Sequence, residues 1–369
     1  MHTNKNQEAF FELLRAGLWE KEVSLFGYGE IDYSAIMQMA EEQSVVGLVT
    51  AGLEHVSDVK VPQELLLQFI GSTLQIEQQN KELNVFVEKL IEKLRKEDVY
   101  AVLVKGQGIA QCYERPLWRA SGDVDLFLSD TNYEKAKEVL VPLASDVEKE
   151  YKLLKHLGMT IDDFSVELHG TLRSRLTKRI DKEIDKVQRE CFYNGDVRSW
   201  QNGYTQVFLP GSNQDVVFVF THILHHMFLE GIGLRQICDW CRLLWTFRDS
   251  IDRQILELHL RKMGLMSEWR VFAALAVEYL GMPEEAMPLY VSEVQSVREF
   301  QKFKEKALRL KGFIIESGNF GHSLERKSGW MGTMVHRTSV AYKLAPIFPI
   351  DAWRMYMGIF WSVLILKLE

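Results

Sequence analysis

"DVYAVLVKGQGIAQCYERPLWRASGDVDLFLSD", residues 98–130, is the stretch whose reading decides the fold. Its first part, "DVYAVLV", is β-branched and apolar and predicts a buried strand. "KGQG" follows as a glycine turn, and "IAQCYE" reads as a short helix. "DVDLFL" then predicts a second strand, with Val124, Leu126 and Leu128 on one side. Asp123 and Asp125 fall together on the other side, with Cα atoms about 6–7 Å apart. At an effective dielectric of about 20, two charges at that spacing repel by about 2–3 kcal/mol. Either one carboxyl keeps its proton or a cation sits between them. A pair of oxygen ligands suits Mg²⁺, which keeps several waters and takes phosphate oxygens as further ligands.

Downstream, "NYEKAKEVLVPL" predicts a helix. "YKLLKHLGMTI" and "FSVELHGTL", joined at Asp162 and Asp163, predict a hairpin. Residues 97–172 thus read as a small unit of order β-α-β-α-β-β. In the last strand Val166 and Leu168 alternate with Ser165, Glu167 and His169. If this strand lies beside the Asp strand, Glu167 joins Asp123 and Asp125. Three such carboxylates can hold two divalent ions for an in-line displacement at phosphorus. Mg²⁺ is expected, with Mn²⁺ as the alternative. For the phosphates, the turn offers backbone N–H groups at a helix start, with close approach at Gly106. Lys105, Gln107 and Arg119 add donors, and Arg119 is suited to bidentate phosphate binding. The Gly-Lys-Ser/Thr ending of a P-loop is absent.

Around this unit the apolar spacing is helical. The expected class is α+β, mostly helical, with a small mixed sheet between two helical regions. The expected boundaries are 1–96, 97–212 and 213–369. "LRSRLTKRIDKEIDKVQRE" predicts a charged helix after the hairpin, with Arg173, Arg175, Lys178 and Arg179 on a solvated face. "FYNGDVRSWQNGYTQVFLPGSN" predicts a further pair of strands. Helix breaks are expected near Gly231–Gly233, Gly281–Pro283 and Gly318–Gly321.

The net charge of −7 argues against a long nucleic-acid footprint. Four cysteines make no disulfide framework, and a polar N-terminus carries no signal-peptide core. A cytoplasmic protein with no transmembrane segment is expected; the apolar C-terminal tail is too short to span a bilayer but would suit a membrane surface. His222 and His226 with Cys238 and Cys241 match zinc-ligand types. The Cys-x-x-Cys sits in an apolar helical run with no turn, so buried packing is the preferred reading.

Strand, glycine turn, helix, Asp-x-Asp strand and a later acidic strand together resemble the nucleotidyltransferase superfamily with the DNA polymerase β-like fold. The resemblance is closer to an uncharacterised bacterial branch of it. It is carried by "VLVKG" (102–106), "YERPLWR" (113–119), "DVDLF" (123–127), "ELHG" (167–170) and "GLRQICDW" (233–240). The chain departs from the wider pattern in having Gly106-Gln107 where Gly-Gly or Gly-Ser is common, and in having Glu167 as its third acid. The resemblance implies transfer of a nucleoside monophosphate from an NTP to an acceptor hydroxyl. Asp123, Asp125 and Glu167 would be catalytic metal ligands, and Lys105, Gly106, Gln107 and Arg119 would hold the triphosphate. His169, His226, Arg235 and Asp239 would lie on the acceptor side or support the acids. The alternative is an inactive nucleotide-binding module on the same fold.

Overall fold

The computed structural model of the chain describes residues 5–229, 231–290, 297–317, 332, 335–354 and 357. These fall into two compact units. One lies within Met1–Val61, Phe220–Cys241 and Gly264–Glu369, the other within Pro62–Val219 and Arg242–Met263.

The chain opens with three helices of the first unit, α1 (Lys5–Trp19), α2 (Tyr33–Glu42) and α3 (Val46–Glu54). Asp32 starts α2 by accepting hydrogen bonds from the backbone N–H of Ser34 and Ala35. Helices α1 and α3 touch backbone to backbone. A Cβ on Gly17 would come within 1.8 Å of the Leu48 carbonyl oxygen.

The second unit begins with α4 (Gln63–Lys96), whose last turn carries Lys93, Arg95 and Lys96 at the negative end of the helix. There follow β1 (Ala101–Val104), α5 (Gly106–Ala110), β2 (Val124–Leu128), α6 (Asp130–Leu140), β3 (Asp146–Val147), β4 (His156–Ile161) and β5 (Phe164–His169). Next come α7 (Lys178–Tyr193), β6 (Val197–Asn202) and β7 (Thr205–Pro210). Among the described residues the strands form one seven-stranded sheet in the order β3-β4-β5-β2-β1-β7-β6. It is mixed: β2 runs parallel to β5 and β1 parallel to β7, while the remaining pairs are antiparallel.

Alternation along the strands gives the sheet two unlike faces. Leu103, Val124, Leu126, Leu128, Leu157, Met159, Val166 and Leu168 pack on one face with Phe86, Leu90 and Leu94 of α4 and Tyr133, Ala136 and Leu140 of α6. The opposite face carries the polar residues of β2, β4 and β5. At its far end Phe127 packs on Phe192 of α7, ring centroids 4.6 Å apart.

Helices α8 (Ser212–Leu229) and α9 (Leu234–Thr246) each contribute residues to both units, α10 (Arg253–Met263) belongs to the second, and α11 (Met266–Leu280) and α12 (Val297–Ser317) to the first. Gly281 ends α11 with φ +68°. Among the described residues no helix is long and apolar enough to cross a membrane. The break at Gly318–Gly321 and most of the apolar C-terminal tail lie outside the described residues.

The class is α+β and mostly helical, as expected. The sheet is larger than β-α-β-α-β-β implied: β3 extends the hairpin edge, and the β6–β7 pair joins through β1. The charged helix also begins later than its composition suggested. Thr177 caps α7 by accepting from the Ile180 N–H, and the Asp181 carboxylate accepts from the Arg175 N–H. These bonds hold Arg173 and Arg175 in the preceding loop.

Candidate active site

Parallel pairing of β2 with β5 sets Asp125 directly opposite Glu167 and Val124 opposite Val166. The two apolar residues face the core, so the two acids share the other face. Asp123, just before β2, accepts a hydrogen bond from Ser165 of β5. The antiparallel β4–β5 pair puts His156 opposite His169. Counting by twos, His156 and His169 then flank Glu167 on the same face.

Side-chain contacts close the cluster. His169 Nε2 lies 2.8 Å from Asp125 Oδ1 and 3.3 Å from Glu167 Oε2. His156 Nε2 lies 3.2 Å from Glu167 Oε2. Lys105 Nζ donates to Asp125 Oδ1 at 2.8 Å. Lys105 reaches it from a tight turn in which Lys105 and Gly106 have φ of +59° and +39°. A non-glycine residue in that region carries backbone strain of about 1–3 kcal/mol. A Cβ at position 106 would sit 3.2 Å from the Asp123 carbonyl oxygen, so glycine is suited to both the torsion and the approach.

The electrostatics are those of a site with excess negative charge. Burial opposes the charge on Lys105, but the Asp125 and Glu167 carboxylates outweigh it and raise its pKa. Burial likewise opposes a charged His169, but hydrogen bonds to Asp125 and Glu167 win and raise it. Burial pushes the Glu167 carboxyl up, yet bonds from His156 and His169 hold it far below the carboxylate range. Asp123 goes the other way. Desolvation, then the charges of Glu167 and Asp125, raise its pKa in spite of Lys105.

The sequence-predicted residues therefore divide. Lys105, Asp123, Asp125, Glu167 and His169 come together. Gln107 is buried in α5, and its amide donates to Asn84 Oδ1 of α4 at 2.6 Å. Arg119 is buried too; its Nη1 donates to the Ala120 carbonyl, and its own carbonyl accepts from Asn80. His226, Arg235 and Asp239 lie on α8 and α9 in the other unit. His226 Nε2 contacts His222 Nε2 at 2.9 Å, and the Arg235 N–H donates to the Gln43 carbonyl. Cys238 and Cys241 are buried thiols, and burial pushes Cys238 well above its ordinary pKa.

His156 is the member that residue types alone did not pick out. The hairpin carried the signal: counting back from the Asp162–Asp163 turn pairs 161 with 164 and so 156 with 169. Among the described residues, His156, Glu167 and His169 form a group with ligand atoms all within 4.8 Å of one another. Near the C-terminal ends of β2 and β5, past Phe127 and Gly170, opens a cavity of about 530 Å³. Lys155, Arg173 and Arg189 line it, with Lys155 paired to Asp130 and Arg173 to Asp185.

No curated protein and no solved structure matches the chain. The family model described as uncharacterised nucleotidyltransferase matches residues 29–281. That match covers more than half the chain, including the sheet and every acid of the cluster, and the protein is therefore a member of the uncharacterised nucleotidyltransferase family.

Proposed function

We propose that the protein is a metal-dependent nucleotidyltransferase that moves a nucleoside monophosphate from an NTP to a hydroxyl of a small, non-polynucleotide acceptor. The observation that carries this is the β2–β5 register, with Asp125 opposite Glu167 and Asp123 two residues along the same face. The donor set fits divalent cations. Lys105 is the ammonium among the three acids, and Asp123 still has a raised pKa, so the cluster favours more positive charge than it holds.

Asp123, Asp125 and Glu167 would hold two Mg²⁺ ions, which when bound supply charge neutralisation for the triphosphate and a more acidic acceptor hydroxyl. The protein's own groups then have distinct tasks. Glu167, held ionised by two imidazoles, is a poor proton acceptor and suits charge-holding. His169 orients Asp125 and Glu167 by bonding to both. Lys105 neutralises Asp125 before substrate arrives and would turn its ammonium to a phosphate oxygen when cations take over that carboxylate. The polar cavity past Phe127, lined by Lys155, Arg173 and Arg189 together with Asp130 and Asp185, supports a polar, hydroxyl-bearing acceptor bound beside the sheet.

The Lys105–Asp125 pair favours a second reading, a nucleotide-binding module in which Lys105 stays in the cation's place and no transfer occurs. Calorimetric titration of the four NTPs with Mg²⁺ into wild type and the Asp123→Ala/Asp125→Ala variant tests the metal assignment. At least one NTP should bind wild type, and the double variant should bind it at least about 100-fold more weakly, two lost charge-assisted contacts being worth about 1.5–3 kcal/mol each. Equal binding by both proteins would sink the assignment.

A further inference from the structure

We propose that His156, Glu167 and His169 form a binding site for a divalent transition-metal ion of the zinc class, with Asp125 at its edge. Two imidazoles and a carboxylate are the ligand types such ions take, whereas Mg²⁺ favours an all-oxygen shell. The spacing fits. Ligands at about 2.0–2.1 Å from a tetrahedral centre stand about 3.3 Å apart. His156 Nε2 and His169 Nε2 lie 3.2 Å and 3.3 Å from Glu167 Oε2. Both distances exceed the roughly 2.7–2.9 Å of a charge-assisted N–H···O bond. They match neighbouring ligands of one centre, and the same atoms hydrogen-bond one another without an ion.

The framework is also suitable. All three residues belong to one hairpin, His156 on β4 and the other two on β5, so the strand pairing fixes their relative positions. Ligands carried on paired strands are held more tightly than ligands on loops. An ion bound to His169 Nε2 replaces that nitrogen's contact with Asp125, leaving the Asp125 carboxylate 2.8 Å away as a further oxygen donor. Gly158, which pairs with Glu167, has no side chain of its own, and the Glu148 carboxylate fills the space that a Cβ there would take.

This site shares Glu167 and Asp125 with the nucleotidyl-transfer reading but leaves out Asp123, and that difference makes the two separable. Co²⁺ is the probe, because its visible absorption reports nitrogen and oxygen coordination directly, with no need of activity. The full-length wild type should bind about one equivalent of Co²⁺ with visible bands that Zn²⁺ abolishes and excess Mg²⁺ does not. His156→Gln and His169→Gln should each weaken Co²⁺ binding by more than about 100-fold, above the roughly 10–100-fold loss typical of a supporting residue. Asp123→Ala should keep the bands even if it loses NTP–Mg²⁺ binding. Near-UV circular dichroism checks that the glutamine variants are folded. Absence of bands in wild type, their displacement by Mg²⁺, or their loss in Asp123→Ala would each overturn the proposed site. So would bands unchanged in His156→Gln, which would point to other histidines such as the His222–His226 pair.

Discussion

At the residue scale, the cluster is a balance of charges that depends on Lys105. The ammonium sits 2.8 Å from Asp125, and although burial opposes its charge, Asp125, Glu167 and Asp123 together raise its pKa. Removing it leaves three carboxylates facing one another. Lys105→Ala should therefore lower the melting temperature in the absence of divalent ions. Millimolar Mg²⁺ should restore more stability to the variant than it adds to wild type, because a cation then replaces the lost ammonium. Thermal denaturation with and without Mg²⁺ reads this directly; equal shifts in the two proteins would argue that the acids do not share a cation. Asp123 and Asp125 were legible from the sequence, since strand alternation aims them at one side whatever the tertiary fold. Glu167 was legible given its strand. The position of Gln107 was not, because its partner Asn84 lies 23 residues away on another element and nothing local announces that bond.

At the element scale, the β4–β5 hairpin and the β2–β5 pairing do the positioning. The hairpin was readable: Asp162 and Asp163 both take positive φ, +48° and +66°, as a two-residue primed turn requires. Such a turn fixes the register, and the register fixes His156. The parallel contacts of β2 with β5 and β1 with β7 were less readable, since they join segments far apart in sequence through crossovers. Leu168 is fully buried beneath the acids, so Leu168→Ala should cost about 2–5 kcal/mol in denaturant unfolding and loosen the strand that carries Glu167. A loss under about 1 kcal/mol would mean the apolar face of β5 is not core. In the other unit, Gly17→Ala should destabilise by about 3 kcal/mol or more, because the new methyl meets a backbone carbonyl that cannot turn aside.

At the scale of the whole molecule, the two units carry different liabilities. Acids cluster on the sheet face of one, while the other buries Glu268 beside Asp351. Burial, then the charge and hydrogen bond of Asp351, lift the Glu268 pKa from 4.5 to about 8. A folded value above the unfolded one means its stabilising contribution is full below about pH 4.5 and is lost as pH rises through about 8. Melting temperature should therefore fall between about pH 4.5 and pH 8 in wild type and level off above it, and Glu268→Gln should flatten that fall. An unchanged slope in the variant would show that Glu268 is not the titrating group.

The central claim, nucleotidyl transfer at Asp123, Asp125 and Glu167, is tested most directly by following label. Wild type would be incubated with Mg²⁺ and an NTP labelled at either the α- or the γ-phosphate, with a cell-extract metabolite fraction as acceptor source. The α-label should pass to a new product while the γ-label leaves as pyrophosphate, and Asp123→Ala/Asp125→Ala should form neither. Appearance of γ-label in the product would identify phosphoryl transfer instead. Product formation by the double variant equal to wild type, or nucleotide bound by wild type with no label moved to any acceptor, would also contradict it.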